Sequence, residues 1–211
     1  MELEGVKRCL SSLESEVTMN GDTVDKHNQV VSFLQSENKD VRFDPWHRLK
    51  ALKKDLRCLI KSLDNEEDKQ NMTELSKRFI IHVYASLEKS NGDAKLCQEL
   101  VFSFFLHVQG IHQWPRKRKY IELILANEKK VCPRFKKEKF ETLNECRHIT
   151  EATHPDSNHE PIAAESKLYQ TILELVAKTA FMNDLGKMRI DKMTSYVENF
   201  HSVAILYRTA C

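Results

Sequence analysis

The sequence has little of what a sheet-rich, secreted or membrane-bound protein needs. Five glycines and five prolines in 211 residues are few for a protein with many tight turns, so the composition favours helices. No apolar run approaches the roughly 20 residues of a membrane-spanning helix. The acidic start of the chain also lacks the apolar stretch of a signal peptide. With a formal net charge of only +2, overall charge does not indicate a nucleic-acid partner.

The cysteines form no C-x-x-C pair. They are six in number and scattered: Cys9, Cys58, Cys97, Cys132, Cys146 and Cys211. This spacing, without a signal peptide, predicts reduced thiols and an intracellular protein with no membrane association. Nothing in the pattern indicates an oligomeric state.

Apolar spacing predicts a mainly α-helical chain that begins with a small α/β part. Helices are expected at 2–14 and 27–34, with short strands at 23–25 and 40–44. After Trp46 only helices are expected, at 49–63, 75–87, 96–108, 119–127 and 164–185, with Gly186 as the cap of the last. The acidic stretch 64–68 is expected to be a loop. The helix at 96–108 is the most apolar and should be central to the core.

Three acidic residues could carry phosphodiester chemistry, because carboxylates that converge from different elements can hold two divalent cations. Asp25 and Asp44 stand at the ends of the expected strands, and Glu198 lies on a late helix with His201 one turn further on. The structural alternative is equally available. Acids at strand ends are common turn formers and caps, and Ser195 to Glu198 fits the S-x-x-E capping box of a helix start.

Three sequence elements that occur in order resemble a family of DDE-type transposases from animal genomes, which have a ribonuclease-H-like fold. They are Thr23-Val24-Asp25-Lys26-His27, the run FDPWHRLKALKK from Phe43 to Lys54, and TSYVENFHS from Thr194 to Ser202. The family has T-D-R-H, D-x-W-H-x-x-K-x-x-x-K-K and T-S-x-x-E-x-F-H-S in these places. The resemblance implies that Asp25 and Glu198 are ligands of Mg²⁺ or Mn²⁺. Asp44 is the rival to Asp25, because its local motif is better preserved.

The sequence departs from this family in lacking the D-x-R-x-D-S-P-G neighbourhood of the first catalytic aspartate. The resemblance therefore implies a partial ribonuclease-H-like α/β remnant at 1–46, a helical insertion at 47–163, and C-terminal helices at 164–211 that return to the remnant. We expect a truncated derivative, inactive as an enzyme, of a protein that cut and joined DNA strands. The competing class is a helical protein-interaction module with neither a catalytic nor a nucleic-acid role.

A second set of residues could bind zinc. His107 and His112 form an H-x4-H pair, and Cys146 and His148 form a C-x-H pair. Four nitrogen and sulfur ligands can close a tetrahedral zinc site, and the resembling family also has histidine and cysteine in these places. Against zinc, H-x4-H is not the tight spacing of structural sites, and a lone histidine on an apolar helix is usually a satisfied core group.

Basic runs are the feature that could bind DNA, since clustered lysine and arginine attract phosphates. One run lies on the helix after Trp46 and includes Arg48, Lys50, Lys53 and Lys54. Another lies beside Trp114 and consists of Arg116, Lys117, Arg118 and Lys119, and a third spans 134–139. The second run also resembles a nuclear-localisation patch, which favours the nucleus over the cytoplasm. The alternative is that these runs are solvated helix faces.

Overall fold

The described residues of the computed structural model are 2–17, 21–25, 27–146 and 160–190, and they form a mainly helical protein with one small parallel sheet. This confirms the predicted mainly helical character and the short strands near the start. The elements are α1 (Glu2–Leu13), β1 (Asp22–Val24), α2 (Asn28–Ser36), β2 (Val41–Phe43), α3 (Pro45–Lys61), α4 (Glu66–Ser90), α5 (Ala94–His107), α6 (Tyr120–Leu123), α7 (Pro133–Lys137), α8 (Lys167–Val176) and α9 (Thr179–Leu185).

The chain divides into two compact units. Of the described residues, those up to 52 together with 187–190 belong to the first unit, and those from 53 to 186 belong to the second. None of the helices in the described ranges is both long enough and apolar enough to cross a membrane.

The first unit is built on the parallel pair β1 and β2, which α2 connects. Parallel strands need such a crossover because the chain must return to the same end of the sheet. The register pairs Val24 with Phe43 at the carboxyl ends of the two strands. Helix α2 buries Val30 and Leu34, and β2 buries Val41 and Phe43, so alternate residues of the strand and one face of the helix supply the core.

The segment after α9 lies beside β2 and runs parallel to it. The Phe43 N–H donates to the Lys187 carbonyl at 2.9 Å, and the Arg189 N–H donates to the Phe43 carbonyl at 3.3 Å. Phe43 and Met188 thereby form a single parallel bridge, and both side chains are buried. The chain therefore returns to the first unit immediately before the segment that contains Glu198.

The second unit is organised around α4 and α5, which pack against each other. Every residue of α5 from Cys97 to Leu106 is buried, as the apolar character of this stretch predicted. Aromatic rings from several elements meet in this core with centroid separations of 4.6–6.2 Å: Phe79, Phe102, Phe104, Phe105, Tyr120, Phe135, Phe140 and Tyr169. Such contacts stabilise a core beyond simple burial of area.

The prediction that residues 64–68 form a loop is wrong, because α4 already begins at Glu66. The side chain of Asn65 accepts a hydrogen bond from the Glu67 N–H at 3.0 Å and so caps the helix. Acidic residues at 66–68 fill the first turn, where the helix dipole favours negative charge. The other end of α4 is closed by Asn91 in the left-handed conformation, at φ 45°.

The helices expected at 164–185 and 119–127 are also corrected. The first is broken into α8 and α9 at Ala177, whose carbonyl accepts from the Cys132 N–H at 3.1 Å instead of continuing the helix. The second is the short α6, followed closely by Leu125 in the left-handed conformation at φ 53°. The pattern of apolar residues does not predict either interruption, because one follows from a backbone hydrogen bond and the other from a left-handed backbone conformation. Residues 133–137, which are not among the expected helices, form α7.

Gly186 does follow α9 directly, but its backbone is right-handed at φ −68°. The absence of a side chain matters there for packing instead. A Cβ atom on this residue would lie 3.3 Å from the Cβ of Ala94 at the start of α5. The glycine therefore allows α9 to approach α5 closely.

Candidate functional site

Two of the predicted acids stand side by side at one edge of the small sheet. Asp25 directly follows β1, Asp44 directly follows β2, and the last residues of the two strands are paired in register. Carboxyl ends of neighbouring parallel strands are where polar side chains can converge on a ligand. The two carboxylates have different surroundings, however, and these decide what each can do.

Asp44 is engaged in starting α3. Its side chain is buried, and Oδ1 accepts a hydrogen bond from the Trp46 N–H at 2.7 Å. Pro45 occupies the first helical position, where the missing N–H costs nothing and the fixed φ suits the helix. The sequence Asp-Pro-Trp thus forms a helix start in which Asp44 is the N-cap, and its carboxylate has little freedom to coordinate a cation.

Asp25 is exposed and is the better placed of the two to meet a ligand. Its Oδ2 lies 3.3 Å from Nδ1 of His47, a contact that becomes an ion pair when the imidazole is protonated, and 51% of its side chain is accessible. The His47 ring packs edge-on against Trp46, at a centroid distance of 4.7 Å, and the Lys50 ammonium lies 4.7 Å from the same indole. The sequence alone does not indicate the contact between His47 and Asp25, because this contact depends on the fold.

The remaining predicted ligand of the divalent-metal site, Glu198, lies outside the described residues. The oxygen chemistry of Asp25 fits Mg²⁺ or Mn²⁺, which prefer carboxylate ligands. Asp44 does not fit without giving up its role as a helix cap.

The predicted zinc ligands that fall within the described residues are brought together in the second unit. His107, His112 and Cys146 each offer one ligand atom, and these three atoms lie within 4.8 Å of one another. Among the described residues this is the one group of three or more such side chains close enough to share a metal ion. All three are half-buried. The fourth predicted ligand, His148, lies outside the described residues.

A reversal of the chain after α5 brings the two histidines together. Gly110, in the left-handed conformation at φ 76°, follows the helix, and the Ile111 N–H returns to the Leu106 carbonyl at 3.0 Å. The reversal places the His112 ring 5.1 Å from the His107 ring, at an interplanar angle of 77°. Residues five apart do not lie on one face of a continuous helix. Here the turn after the helix brings the two histidine rings together.

A short antiparallel pairing brings Cys146 to the histidines. The Cys146 N–H donates to the His112 carbonyl at 2.9 Å, and the Trp114 N–H donates to the Asn144 carbonyl at 2.8 Å. Sγ of Cys146 consequently lies 3.7 Å from Nδ1 of His107. Burial, and to a smaller extent the charge of Glu145, raises the pKa of the Cys146 thiol to about 12. This raised pKa keeps the thiol protonated at neutral pH, without the thiolate that a nucleophilic cysteine uses.

Sequence reasoning missed Glu99, the residue that holds this pairing against α5. Its side chain is fully buried, and its two carboxylate oxygens accept backbone N–H groups of Glu141, Thr142 and Leu143 at 2.7–3.3 Å. A buried carboxylate needs such donors to offset its lost hydration. The available signal was a single acid within the most apolar helix of the chain.

The predicted basic residues are accessible in different degrees. Lys50 and Lys54 on α3 are exposed, Arg48 and Lys53 are half-buried, and the Lys53 ammonium lies 5.6 Å from the Tyr84 ring. The run Arg116–Lys119, hereafter the basic turn, is exposed throughout. It lies against residues 138–140, since the Lys117 N–H donates to the Phe140 carbonyl and the Tyr120 N–H to the Glu138 carbonyl, at 2.6 and 3.0 Å.

Comparison with models of known protein families, with curated proteins and with solved structures finds no match to this chain. Functional inference consequently depends on the residues and their geometry.

Proposed function

We propose that this chain derives from the catalytic region of a DDE-type transposase, and that it retains weak divalent-cation binding and DNA binding without strand cleavage. The observation that carries the proposal is the position of Asp25, an exposed carboxylate at the carboxyl end of a parallel strand pair. It stands in the first of three sequence elements that resemble the family in the same order. The returning segment at 187–189, which pairs with β2, precedes the third element in the sequence.

Weak binding is expected because the described carboxylates are only partly available. Two-metal catalysis needs carboxylates that bridge both ions and clamp the attacking and leaving oxygens. Here Asp44 caps α3 through the Trp46 N–H, and Asp25 is in contact with His47. A cation at Asp25 would compete with the imidazole when His47 is protonated. These surroundings favour occasional occupancy by one hard cation over a preorganised two-metal centre.

Wild-type protein should bind Mn²⁺ weakly, and Asp25→Asn and Glu198→Ala should each abolish the binding. The amide of asparagine keeps the shape of aspartate but not the charge that attracts a hard cation. Free Mn²⁺ is measured by electron paramagnetic resonance during a titration. Asp64→Asn, which alters an exposed carboxylate in the second unit, serves as the control and should bind as wild type does.

Equal Mn²⁺ binding by wild type and Asp25→Asn would contradict the cation part of the proposal. Incubation of supercoiled plasmid with wild-type protein and Mn²⁺ should produce no nicked form above the level of the buffer. Nicking that disappears in Asp25→Asn would contradict the absence of strand cleavage.

DNA binding is proposed for the basic turn. Arg118 approaches Glu122 at 3.6 Å, and the neighbouring Lys139 approaches Glu141 at 3.5 Å, so these cations are partly neutralised. Among the described residues, Lys117 and Lys119 have no ion-pair partner. Lys117 stands at the tip in the left-handed conformation, at φ 63°. Two uncompensated ammonium groups on an exposed turn can attract phosphates without reading base sequence.

The double variant Lys117→Gln/Lys119→Gln should bind duplex DNA more weakly at every sequence. Each lost phosphate contact should reduce the slope of log affinity against log salt concentration by about 0.9, or about 1.8 for two contacts. Fluorescence anisotropy of labelled duplexes at several salt concentrations measures the slope. Lys129→Gln/Lys178→Gln removes two exposed lysines elsewhere in the second unit and should leave the slope unchanged. An equal loss in both double variants would exclude a specific role for the basic turn.

If wild type bound neither Mn²⁺ nor DNA, the transposase-derived function would be rejected and the helical interaction module would replace it.

A further inference from the structure

We propose that His107, His112 and Cys146 bind a zinc ion that ties the end of α5 to residues 144–146. This site includes neither Asp25 nor the basic turn, so its test is separate from those of the proposed function. The three ligands lie in the second unit, and the zinc would hold two segments of that unit together.

The spacing of the ligand atoms fits tetrahedral zinc. With Zn–N of about 2.05 Å and Zn–S of about 2.3 Å, nitrogen and sulfur ligands lie about 3.6 Å apart. The observed distance from Cys146 Sγ to His107 Nδ1 is 3.7 Å. One ligand atom from each of the three residues lies within 4.8 Å of the other two, and a modest rotation of a side chain would bring these atoms to bonding range. Three such atoms define one face of a coordination tetrahedron.

The donor set selects the metal. Two imidazoles and one thiol are borderline-to-soft ligands that suit Zn²⁺, whereas Mg²⁺ and Ca²⁺ prefer oxygen ligands. On binding, a Zn–S bond forms and the thiol proton is released to solvent, while zinc keeps its +2 oxidation state. No redox partner is therefore required.

The ligands are held in place by contacts that do not involve a metal. The turn at Gly110 positions His112, and the hydrogen bond from the Cys146 N–H to the His112 carbonyl holds residues 144–146 beside it. Glu99 anchors the chain just before these residues by accepting the Leu143 N–H at 2.7 Å. Because the ligands are preorganised, zinc would join segments that are 39 residues apart in the chain with little loss of conformational freedom.

The alternative for the same atoms is a hydrogen bond between the Cys146 thiol and the His107 imidazole without any metal. Zinc content separates the two. The full chain is purified with a reductant and without added metal, and zinc is measured by mass spectrometry. About one zinc per chain is expected in wild type, and less than about a tenth of this in Cys146→Ser and in His112→Asn. Cys58→Ser, which alters an exposed cysteine on α3, is the control and should retain full zinc.

Titration of the metal-free protein provides the second measurement. Loss of a partner that only orients a ligand weakens metal binding 10- to 100-fold, so loss of a direct ligand should weaken zinc binding by at least about 100-fold. Cobalt should give the visible d–d bands of tetrahedral geometry and a thiolate charge-transfer band in wild type, and Cys146→Ser should lose the latter. Far-UV circular dichroism verifies that each variant is folded. If one of the two ligand variants does not fold, the other still tests the proposal.

Zinc binding by wild type no tighter than by folded Cys146→Ser would overturn the proposal, as would equal loss of zinc from Cys58→Ser.

Discussion

Replacing Glu99 with alanine should lower the free energy of unfolding of the second unit by about 3 kcal/mol. The carboxylate is fully buried and accepts backbone N–H groups of three consecutive residues, 141–143. Removing it leaves these donors without their acceptor, and an unsatisfied buried donor costs roughly 1–3 kcal/mol. Glu99→Gln should lower the free energy of unfolding by about half as much. The amide keeps one oxygen that can accept these hydrogen bonds, but its NH₂ group is itself a donor and would face the remaining backbone N–H groups.

Trp114 fluorescence during urea unfolding reports this region, because Trp114 Nε1–H donates to the Leu143 carbonyl at 3.0 Å. All variants carry Trp46→Phe, which removes the signal of the other tryptophan, in the first unit. The matched control is Glu88→Ala, an exposed glutamate near the end of α4, whose effect should stay within about 0.5 kcal/mol. A Glu99→Ala variant as stable as the control would show that these hydrogen bonds do not hold residues 141–143 against α5. If zinc binds as proposed, Glu99→Gln should also bind it more weakly than wild type, because Cys146 would be less well positioned.

Replacing Phe105 with alanine should lower the free energy of unfolding of the second unit by about 4 kcal/mol. The side chain is buried at the centre of the aromatic core. Its ring lies 5.4–6.2 Å, between centroids, from the rings of Phe79, Phe102, Phe104 and Tyr169. Truncation removes the transfer free energy of the ring and leaves a cavity that rigid aromatic neighbours cannot fill. Phe105→Leu should cost less than half as much, because it leaves a smaller void.

Ile81→Ala provides the control for truncation of an apolar side chain. Ile81 lies on α4 but is 68% exposed, so its loss should change stability by no more than about 0.5 kcal/mol. The free energies of unfolding of the two variants, measured by thermal or urea unfolding, should therefore differ by several kcal/mol. Similar values for Phe105→Ala and Ile81→Ala would mean that the ring cluster does not form the core of the second unit.

Apolar spacing was sufficient for most elements of this fold. The strands expected at 23–25 and 40–44 are β1 (Asp22–Val24) and β2 (Val41–Phe43), displaced or shortened by a residue or two. The predictions were wrong where composition or apolar spacing did not reflect the contacts that determine where a helix begins or ends. Residues 66–68 look like a loop by composition, but their charges favour the first turn of α4. The break between α8 and α9 depends on a hydrogen bond from Cys132 to Ala177, which spacing cannot reveal.

The candidate sites, too, were predictable from the sequence only in part. The sequence identified Asp25, Asp44, His107, His112 and Cys146 as residues able to carry chemistry, from their types and positions. It did not distinguish Asp44 as a helix cap from Asp25 as an exposed carboxylate. That distinction follows from the burial of one side chain and the accessibility of the other.

By itself, the sequence determined the helical character of the chain, the short strands at its start and the central position of α5. Nearly continuous apolar residues on a helix can be accommodated only inside a core. Only the tertiary structure decided that Cys146 meets His107 and that Glu99 binds residues 141–143, at separations of 39 to 44 residues. Such contacts depend on how intervening loops close and on which backbone donors remain to be satisfied, and neither is encoded in local periodicity.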